Sequence, residues 1–269
     1  MAMHRVVVAG AAGRMGRAAI RTIARRDDMT LVGALGRSTA VGQDAGTVAG
    51  AGVLGVAVGA DLGQIFLVAR PTVLVDFSHG DAAVAHAEAA LDHHVPAVIG
   101  ATGLSAEGLA RLKARSAAEE TGVLLAPNFA VGALLMMEFA QRAARFFPHV
   151  EITELHHDRK RDAPSGTAAR TARLVAAARG AAAPAPAVQE TEQVPGARGG
   201  VIDGIHVHSV RLPGLVAHQE VLFGGTGQTL LIRHDSVSEE CFMPGVVLAI
   251  QKAGTLRTFV EGLEHLLDA

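Results

Sequence analysis

The fold class is indicated first by residues 4–20, which read HRVVVAGAAGRMGRAAI. An apolar run typical of a strand buried on both faces leads through a glycine-rich turn into a pattern typical of a helix. Gly10, Gly13 and Gly16 have the spacing G-x-x-G-x-x-G, a variant of the G-x-G-x-x-G fingerprint of dinucleotide sites. Glycine allows the tight turn, and the N–H groups of a helix N-terminus attract a pyrophosphate. The alternative is a tight turn without a ligand, and the strand before it and the helix after it favour the dinucleotide site.

Strands and helices continue to alternate up to about residue 128. Apolar runs predict strands at residues 30–35, 72–78, 96–102 and 122–128, and helices over residues 14–26, 82–93 and 105–120. The strands are uniformly apolar rather than alternating, as in sheets that are buried on both faces. Repeated strand–helix–strand units predict an α/β fold with a Rossmann-like, doubly wound parallel sheet.

Residues 129–238 show a different pattern. The predicted elements are two helices, over 132–146 and 167–179, and four strands, over 149–155, 205–214, 217–225 and 228–236. Turn residues bound the last three strands, which look antiparallel. A stretch rich in Pro, Gly and Ala, residues 180–200, predicts a long exposed loop. The region therefore predicts a second, α+β domain with a mixed or antiparallel sheet.

The tail from residue 239 contains a predicted helix over residues 243–254, which would return the chain to the first domain. The sequence contains no internal repeat that would suggest another division. The predicted domains are therefore residues 1–128 plus 239–269, which would bind the dinucleotide, and residues 129–238.

Composition argues against several functional classes. Apolar residues make up 49% of the 269 residues, the formal net charge is -2, and the chain has no Trp or Tyr. Neither the charge nor the aromatic content favours nucleic acid or an anionic membrane, so neither partner is predicted. The single cysteine, Cys241, excludes an internal disulfide and fits a reducing compartment. Because the sequence shows no signal peptide and no run of roughly 20 apolar residues, a cytoplasmic protein is expected.

The end of the second predicted strand indicates the choice of cofactor. Residues 32–39 read VGALGRST, so Gly36 stands where an NAD site usually carries an acid, and Arg37 follows it. Loss of the carboxylate removes repulsion against a 2′-phosphate, and Arg37 can pair with that phosphate through charge-assisted hydrogen bonds. NADPH is therefore predicted as the preferred cofactor, with NADH as the second possibility. The alternative for Arg37 is a solvated loop charge.

A second concentration of polar chemistry lies at residues 154–170, which read ELHHDRKRDAPSGTAAR. The segment DAPSGT predicts a helix start, so the main-chain N–H groups of Gly166 and Thr167 form a site for a carboxylate or phosphate. Lys160 and His157 supply opposing charge, and His156 titrates near neutrality and can relay a proton. For each residue taken alone, solvated surface charge is an equal alternative. No metal site is predicted, because adjacent histidines on a strand point to opposite faces and no cysteine or spaced carboxylate pair completes a ligand set.

Together, these motifs resemble the 4-hydroxy-tetrahydrodipicolinate reductase family, also called the dihydrodipicolinate reductases. The most specific part is ELHHDRKRDAPSGTA, which matches the family pattern E-x-H-H-x-x-K-x-D-A-P-S-G-T-A. Supporting matches are VAGAAGRMGR (8–17), VDFS (75–78), GATG (100–103), APNFAVG (126–132) and GIHVHSVRLPGLVAHQEVLFGG (204–225). The resemblance covers essentially the whole chain.

The resemblance implies a role for each matching residue. His156 would be the proton donor and acceptor, and Lys160 the second proton donor. The substrate carboxylates would be bound by His157, Gly166 and Thr167. The cofactor would be held by Gly10, Ala11, Ala12, Gly13, Arg14 and Met15 at the pyrophosphate, by Arg37 at the adenosine ribose or its 2′-phosphate, and by Gly100, Ala101, Thr102, Ala126, Pro127, Asn128 and Phe129 at the nicotinamide half.

The resemblance also implies the reaction and the assembly. Hydride would pass from the nicotinamide to a cyclic imine-type dicarboxylate, 4-hydroxy-tetrahydrodipicolinate, with loss of water, and would give tetrahydrodipicolinate for diaminopimelate and lysine biosynthesis. The family is typically a homotetramer built through the sheet of its second domain. Three residues stand out against the family pattern. Gly36 replaces a common acid, which weakens the case for NADH, Ala101 stands where Thr is frequent, and Asp158 lies inside the cationic loop, where it would partly offset Lys160.

Two other functions fit the same framework. A semialdehyde or homoserine dehydrogenase would need a nucleophilic cysteine or another catalytic set, and Cys241 lies in an apolar run. A regulatory dinucleotide sensor would be expected to lose the proton-transfer residues, whereas His156 and Lys160 are both present. The reductase is therefore the leading prediction.

Overall fold

The computed structural model describes residues 3–37, 40–180, 188 and 191–267, and it divides into two compact units. The first unit comprises Met1–Ala130 and Glu239–Ala269, and the second comprises Val131–Ser238. Part of the predicted exposed loop, at positions 181–187, 189 and 190, lies outside the described residues. Within the described residues, no helix has both the length and the apolar character needed to span a membrane.

The strands and helices of the first unit alternate along the chain. Its strands are β1 (His4–Ala9), β2 (Met29–Leu35), β3 (Val58–Gly59), β4 (Val73–Asp76), β5 (Ala97–Ile99), β6 (Val123–Leu125) and, near the end of the chain, β12 (Phe259–Glu261). Its helices are α1 (Arg14–Ile23), α2 (Ala45–Ala49), α3 (Leu62–Ala69), α4 (Asp81–Asp92), α5 (Ala106–Ala118) and, before β12, α8 (Met243–Ala253). Short 3-10 helices lie before α8, at Glu239–Phe242, and after β12, at Leu263–Leu266.

The strands of the first unit form one parallel sheet in the order β12-β6-β5-β4-β1-β2-β3. From β1 the strand order proceeds through β2 to β3 at one edge of the sheet, and from β4 it proceeds through β5 and β6 to β12 at the other edge. The strand order therefore reverses between β1 and β4. Ligands of such sheets bind in the crevice at the carboxyl ends of the strands, where the order reverses. The pairing of Ala9 with Asp76 places the ends of β1 and β4 side by side at this point.

Burial on both faces explains why apolar runs identified these strands. Val7 packs in a core with residues of α4 and α5, while Val6 and Val8 on the opposite face are also completely buried. The strands β4, β5 and β6 are shorter than predicted, because the residues that follow them leave the sheet and form the loops at its carboxyl edge. The sequence analysis did not predict α2, β3, α3 or β12, all of which are short.

The second unit has its own sheet and two helices. Its elements are α6 (Val131–Ala144), β7 (His149–His156), α7 (Gly166–Arg179), β8 (Gly200–Ile202), β9 (Ile205–Arg211), β10 (Ala217–Gly225) and β11 (Gln228–Ser236). The strand order is β11-β10-β7-β9-β8, and every neighbouring pair is antiparallel except β7 with β9. The sheet is therefore mixed, as predicted, with β9 parallel to β7 and antiparallel to β8. Between β7 and β9 the chain passes through α7 and the edge strand β8, and the turn between β8 and β9 makes β9 run parallel to β7.

One face of the second sheet is covered by α6 and α7. Ile152, Val221 and Phe223 are completely buried there. Residues between them point to the other face, where Leu222 and Leu231 are 46% and 52% exposed. This alternation is typical of a sheet with one packed face and one open face.

Candidate active site

Close backbone contacts shape the glycine-rich turn after β1. Gly10 has a φ of +73°, and a Cβ there would lie 2.8 Å from the backbone carbonyl carbon of Phe77. A Cβ at Gly16 would overlap the backbone of Gly10, so glycine at this position lets α1 approach the turn closely. Both positions therefore require glycine for reasons of space, as the fingerprint predicts.

The start of α1 leaves its first N–H groups available. The N-cap is Gly13, which has no side chain to cap them. Such N–H groups carry partial positive charge and attract anions, so the turn fits a pyrophosphate. Ala11 is completely buried beside the turn, Arg14 pairs with Glu239 at 2.8 Å, and Met15 is partly exposed.

A cleft of about 480 Å³ opens beside this turn. Four of the predicted cofactor residues line it: Gly10, Ala12, Gly13 and Arg37. The other lining residues are Leu35, Gly36, Ala60, Phe77, Ser78, His79, Ala82 and His86. The structure thus brings the glycine turn and the predicted cation, Arg37, to one cleft. Ser38 and Thr39, which follow Arg37, lie outside the described residues.

The residues predicted to surround the nicotinamide follow β5 and β6 at the same edge of the sheet. The N–H of Gly100 donates to the carbonyl of Asp76 at 2.8 Å. A Cβ on Gly100 would collide with the ring of Phe77, which packs edge-to-face on Phe129 with 5.8 Å between ring centroids. Of the remaining residues, Ala101 and Ala126 are buried, whereas Thr102, Pro127 and Asn128 reach the surface.

Asp76 and His86 form a pair that the sequence analysis missed. Asp76 is completely buried, and its carboxylate accepts hydrogen bonds from the N–H of Ser78 and from Nδ1 of His86, both at 2.6 Å. Because Nδ1 donates to the carboxylate, Nε2 of His86 is an acceptor in the neutral ring, and His86 lines the cleft. The VDFS motif marks Asp76, but no spacing rule indicates a histidine ten residues later as its partner.

The second group of predicted residues lies in the second unit, between β7 and α7. His156 is the last residue of β7, and Gly166 is the first residue of α7. Ser165 is the N-cap, and its side chain accepts a hydrogen bond from the N–H of Ala168 at 3.1 Å. This cap leaves the N–H groups of Gly166 and Thr167 available for an anion.

Glu154 is the buried centre of this group. It has no exposed surface and accepts hydrogen bonds from Nδ1 of His156, from both terminal nitrogens of Arg211 at 2.8 and 2.7 Å, and from the N–H of Ser165 at 3.1 Å. Burial acts to raise the pKa of Glu154, but the hydrogen bonds, that from Arg211 first, outweigh it and hold the pKa below its ordinary value. The sequence analysis quoted Glu154 in the motif without a role, and it missed Arg211.

The protonation state of His156 follows from this environment. Burial lowers its pKa below the ordinary value, Lys160 and Arg211 lower it further, and Glu154 offsets only part of the decrease. The imidazole is therefore neutral at neutral pH. Because Nδ1–H donates to Glu154, Nε2 is the nitrogen that can accept a proton.

Lys160 and His157 lie in the loop after β7. Nζ of Lys160 pairs with both carboxylate oxygens of Asp162, at 2.8 and 2.9 Å, and this hydrogen bonding holds the pKa of Asp162 below its ordinary value. Nδ1 of His157 accepts a hydrogen bond from the N–H of Arg159 at 3.2 Å. Across the part of the chain that the structure describes, no cluster of three or more His, Cys, Asp or Glu side chains is placed to hold a metal ion. The predicted site residues thus form two groups, one in each unit.

Comparison with known proteins gives the family. The family model described as dihydrodipicolinate reductase, N-terminus, matches residues 4–129, and the model for the C-terminus matches residues 132–267. This chain belongs to the dihydrodipicolinate reductase family. The 4-hydroxy-tetrahydrodipicolinate reductase of Moorella thermoacetica is 51% identical and covers 100% of this chain and 99% of its own length. The enzyme of that name from Desulfitobacterium hafniense is 46% identical over 98% of both chains.

A solved structure of the reductase family shows the same fold. Dipicolinate-bound dihydrodipicolinate reductase from Paenisporosarcina sp. TG-14 is 40% identical, has a TM-score of 0.88, and covers 98% of this chain and 100% of its own. The predictions of the family, of an α/β fold with a second α+β domain, and of an NAD(P)H-dependent oxidoreductase are confirmed.

Proposed function

We propose that this chain reduces 4-hydroxy-tetrahydrodipicolinate to tetrahydrodipicolinate with NAD(P)H, a step of diaminopimelate and lysine biosynthesis. The observation that carries the proposal is the buried carboxylate of Glu154, which fixes His156 next to a helix N-terminus that is open to an anion. Family membership along the whole chain supports the same reaction. The nicotinamide supplies the hydride, and the residues of the chain supply binding, orientation and protons.

The cofactor would be held by the glycine turn and the cleft of the first unit. The uncapped N–H groups of α1 and the backbone at Gly10 would bind the pyrophosphate. The adenosine half would lie beside Arg37 and His86. The residues that follow β5 and β6, at 100–102 and 126–129, would line the nicotinamide half.

NADPH is the preferred cofactor in this proposal. Gly36 places no carboxylate beside a 2′-phosphate, and Arg37 on the wall of the cleft offers that phosphate a cation. The test compares kcat/KM for NADPH and NADH. Equal or better use of NADH would contradict this part of the proposal.

The dianionic substrate would bind at the start of α7. The N–H groups of Gly166 and Thr167 and the hydroxyl of Thr167 offer hydrogen bonds to one carboxylate. In the loop before this helix, Lys160 would supply positive charge for the second carboxylate, and His157, whose Nδ1 is an acceptor, would donate a hydrogen bond to it from Nε2–H. The Paenisporosarcina reductase, which was solved with dipicolinate bound, supports a ligand with two carboxylates.

Proton transfer falls to Nε2 of His156, with Nζ of Lys160 as the second donor. His156 is neutral in the free protein because its pKa is lowered by burial and by the cations Lys160 and Arg211. A bound dianion would offset the effect of those cations, raise the pKa and let Nε2 take up a proton. Once the hydroxyl has left as water, hydride addition to the conjugated ring leaves a carbanion-like or enamine carbon, and the imidazolium would then protonate this carbon.

A homotetramer is the proposed assembly, built through the open face of the second unit's sheet. This face carries the half-exposed Leu222 and Leu231 next to polar side chains such as Glu151, which pairs with Arg198 at 2.5 Å. Exposed leucines among paired charges suit an interface between subunits. Light scattering after size-exclusion chromatography measures the assembly, and a monomer would contradict it.

The experiment follows the loss of NADPH absorbance on addition of freshly made substrate. His156→Ala and Lys160→Ala should each lower kcat on the order of 10²-fold or more, the scale of a lost general acid or base. Glu88→Gln, which removes the charge of a carboxylate that pairs with Arg111 on the surface of the first unit, is the control and should keep the wild-type rate. Cofactor binding without turnover in the wild type would overturn the proposal in favour of a dinucleotide sensor. Wild-type rates in both variants would overturn the proton-transfer roles.

A further inference from the structure

Arg211 connects Glu154 to the loop that carries Lys160. Its terminal nitrogens donate to both oxygens of Glu154 at 2.8 and 2.7 Å, and they also donate to the carbonyls of Asp162 and Val210, both at 2.7 Å. A guanidinium has four terminal N–H groups, so all of them are engaged within the protein. Arg211 therefore has no terminal N–H group left for a substrate carboxylate.

Glu154 also links Arg211 and His156 to the start of α7. Its Oε1 accepts the N–H of Ser165, the N-cap of that helix, and its Oε2 accepts Nδ1–H of His156. Glu154 has no exposed surface, so it does not reach a bound ligand. One carboxylate thus joins the proton-transfer histidine to the residue that begins the anion-binding helix.

We propose that Glu154 and Arg211 are a positioning pair for the reaction, an inference that rests on the proposed function. Glu154 selects the tautomer of His156 that has its lone pair on Nε2. Arg211 holds the carboxylate of Glu154 in place, and its hydrogen bond to the carbonyl of Asp162 ties the loop that carries Lys160 to that carboxylate. The register of the sheet supports this arrangement, because β7 and β9 run parallel with His156 opposite Arg211.

The charges around His156 predict how each member of the pair affects it. Glu154 lies on its own strand, Arg211 on β9 and Lys160 in the loop, whereas its register partner on β10 is the uncharged Ala217. Loss of the charge of Glu154 favours the neutral imidazole and lowers the pKa further. Loss of the charge of Arg211 leaves Glu154 uncompensated, which favours the imidazolium and raises the pKa. A purely structural role would not produce opposite shifts.

Glu154→Gln also has a specific effect on the tautomer. Oε1 of Glu154 accepts from the N–H of Ser165 and from Arg211, which can both only donate, so the amide oxygen takes this position. The amide NH₂ then takes the position of Oε2, loses one bond from Arg211 and faces Nδ1 of His156. A donor at Nδ1 forces the ring proton onto Nε2, as the corresponding Asp→Asn change does in the serine protease triad. The variant would then be unable to accept a proton at Nε2.

The experiment combines nitrogen NMR of His156 with steady-state kinetics. Glu154→Gln should change the neutral tautomer from Nδ1–H to Nε2–H, lower the pKa of His156 and lower kcat on the order of 10²-fold. Arg211→Gln should raise the pKa of His156. Arg211→Lys keeps the charge but loses the multiple hydrogen bonds, so it should keep the pKa near the wild-type value and raise KM for the substrate more than it lowers kcat. Glu88→Gln is again the matched control and should change none of these quantities.

An unchanged tautomer in Glu154→Gln, or pKa shifts of the same sign in Glu154→Gln and Arg211→Gln, would overturn the inference. If the wild type does not reduce the substrate, the proposed function fails, and the NMR titrations still decide whether the pair controls His156. If Glu154→Gln does not fold, the pKa in Arg211→Gln and the KM in Arg211→Lys decide it. Wild-type values of both would then overturn the inference.

Discussion

Gly36 lies directly against Val58 of the neighbouring strand β3, and a Cβ on Gly36 would stand 2.7 Å from Cγ1 of Val58. Val58 is itself buried, at 1% exposed, so any side chain at position 36 must displace a packed residue. This contact favours glycine where NAD sites usually carry an acid. In the proposed function, the packing of β3 and the charge of Arg37 would both act on the choice of cofactor.

Arg37→Ala is expected to reduce kcat/KM for NADPH by about 10- to 100-fold, the range of a lost charge-assisted hydrogen bond, and to leave kcat/KM for NADH nearly unchanged. The reason is that only NADPH carries the 2′-phosphate. The same measurement on Arg25→Ala, an exposed arginine that does not line the cleft, provides the control. An equal loss for both cofactors would show that Arg37 acts on the fold or on a group that the two share.

Gly36→Asp combined with Val58→Ala is expected to shift the preference towards NADH. The new carboxylate can bind ribose hydroxyls and repels a 2′-phosphate, and the smaller residue at position 58 gives it room. Gly36→Asp alone should have a lower Tm than the double variant, because its side chain overlaps Val58. Val58→Ala alone controls for the loss of the buried side chain. A double variant that still prefers NADPH would refute the electrostatic part of this explanation.

His86→Ala is expected to raise KM for NADPH by about 5- to 10-fold with little change in kcat. The estimate corresponds to one neutral hydrogen bond that is made equally in the ground state and the transition state. The bond would be accepted by Nε2, which is left free because Nδ1 donates to Asp76. His93→Ala, an exposed histidine at the end of the same helix, is the control. A drop in kcat alone would argue against a role in binding.

Much of the first unit could be predicted from the sequence because its signals are local. Strands buried on both faces must be apolar throughout, and the turn at Gly10 must be glycine because a Cβ would meet the backbone of Phe77. The motif around His156 was likewise recognisable because its residues are adjacent in the chain. Short elements such as β3 were missed, since two residues carry no period.

The supporting residues could not be predicted because their contacts depend on tertiary structure. Arg211 reaches Glu154 across 57 positions, through a pairing of β7 with β9 that the sequence pattern does not specify. Asp76 and His86 are closer in sequence, but their contact requires the placement of α4 against the end of β4. Such residues are found only once the register of the sheet is known.

The free energy of unfolding is expected to fall as the pH drops below about 6.5, the ordinary pKa of histidine. Burial lowers the pKa of both His156 and His234 in the folded protein, so the unfolded chain binds more protons in this window. The stabilisation is complete above pH 6.5 and is lost as the pH falls through the folded pKa values. Each histidine contributes a slope of at most about 1.4 kcal/mol per pH unit.

Urea titrations over this pH range measure that slope. His234→Gln should reduce it, because the variant has no group that gains a proton on unfolding at this position. His94→Gln, in which an exposed histidine is replaced, should keep the wild-type slope. Identical slopes in all three proteins would show that other groups cause the loss of stability.

Ser165→Ala is expected to cost about 1 kcal/mol of stability and also to raise KM for the substrate. The hydroxyl of Ser165 accepts the N–H of Ala168 at 3.1 Å, and its loss frees the first turn of α7, where Gly166 and Thr167 are proposed to bind a carboxylate. Ser105→Ala is the matched control. Ser105 is the N-cap of α5, and its hydroxyl accepts the corresponding hydrogen bond from the N–H of Gly108 at 3.1 Å. This control variant should lower Tm by a similar amount and leave KM unchanged. If both variants raised KM equally, the effect would come from general loss of stability, and the start of α7 would not be the substrate site.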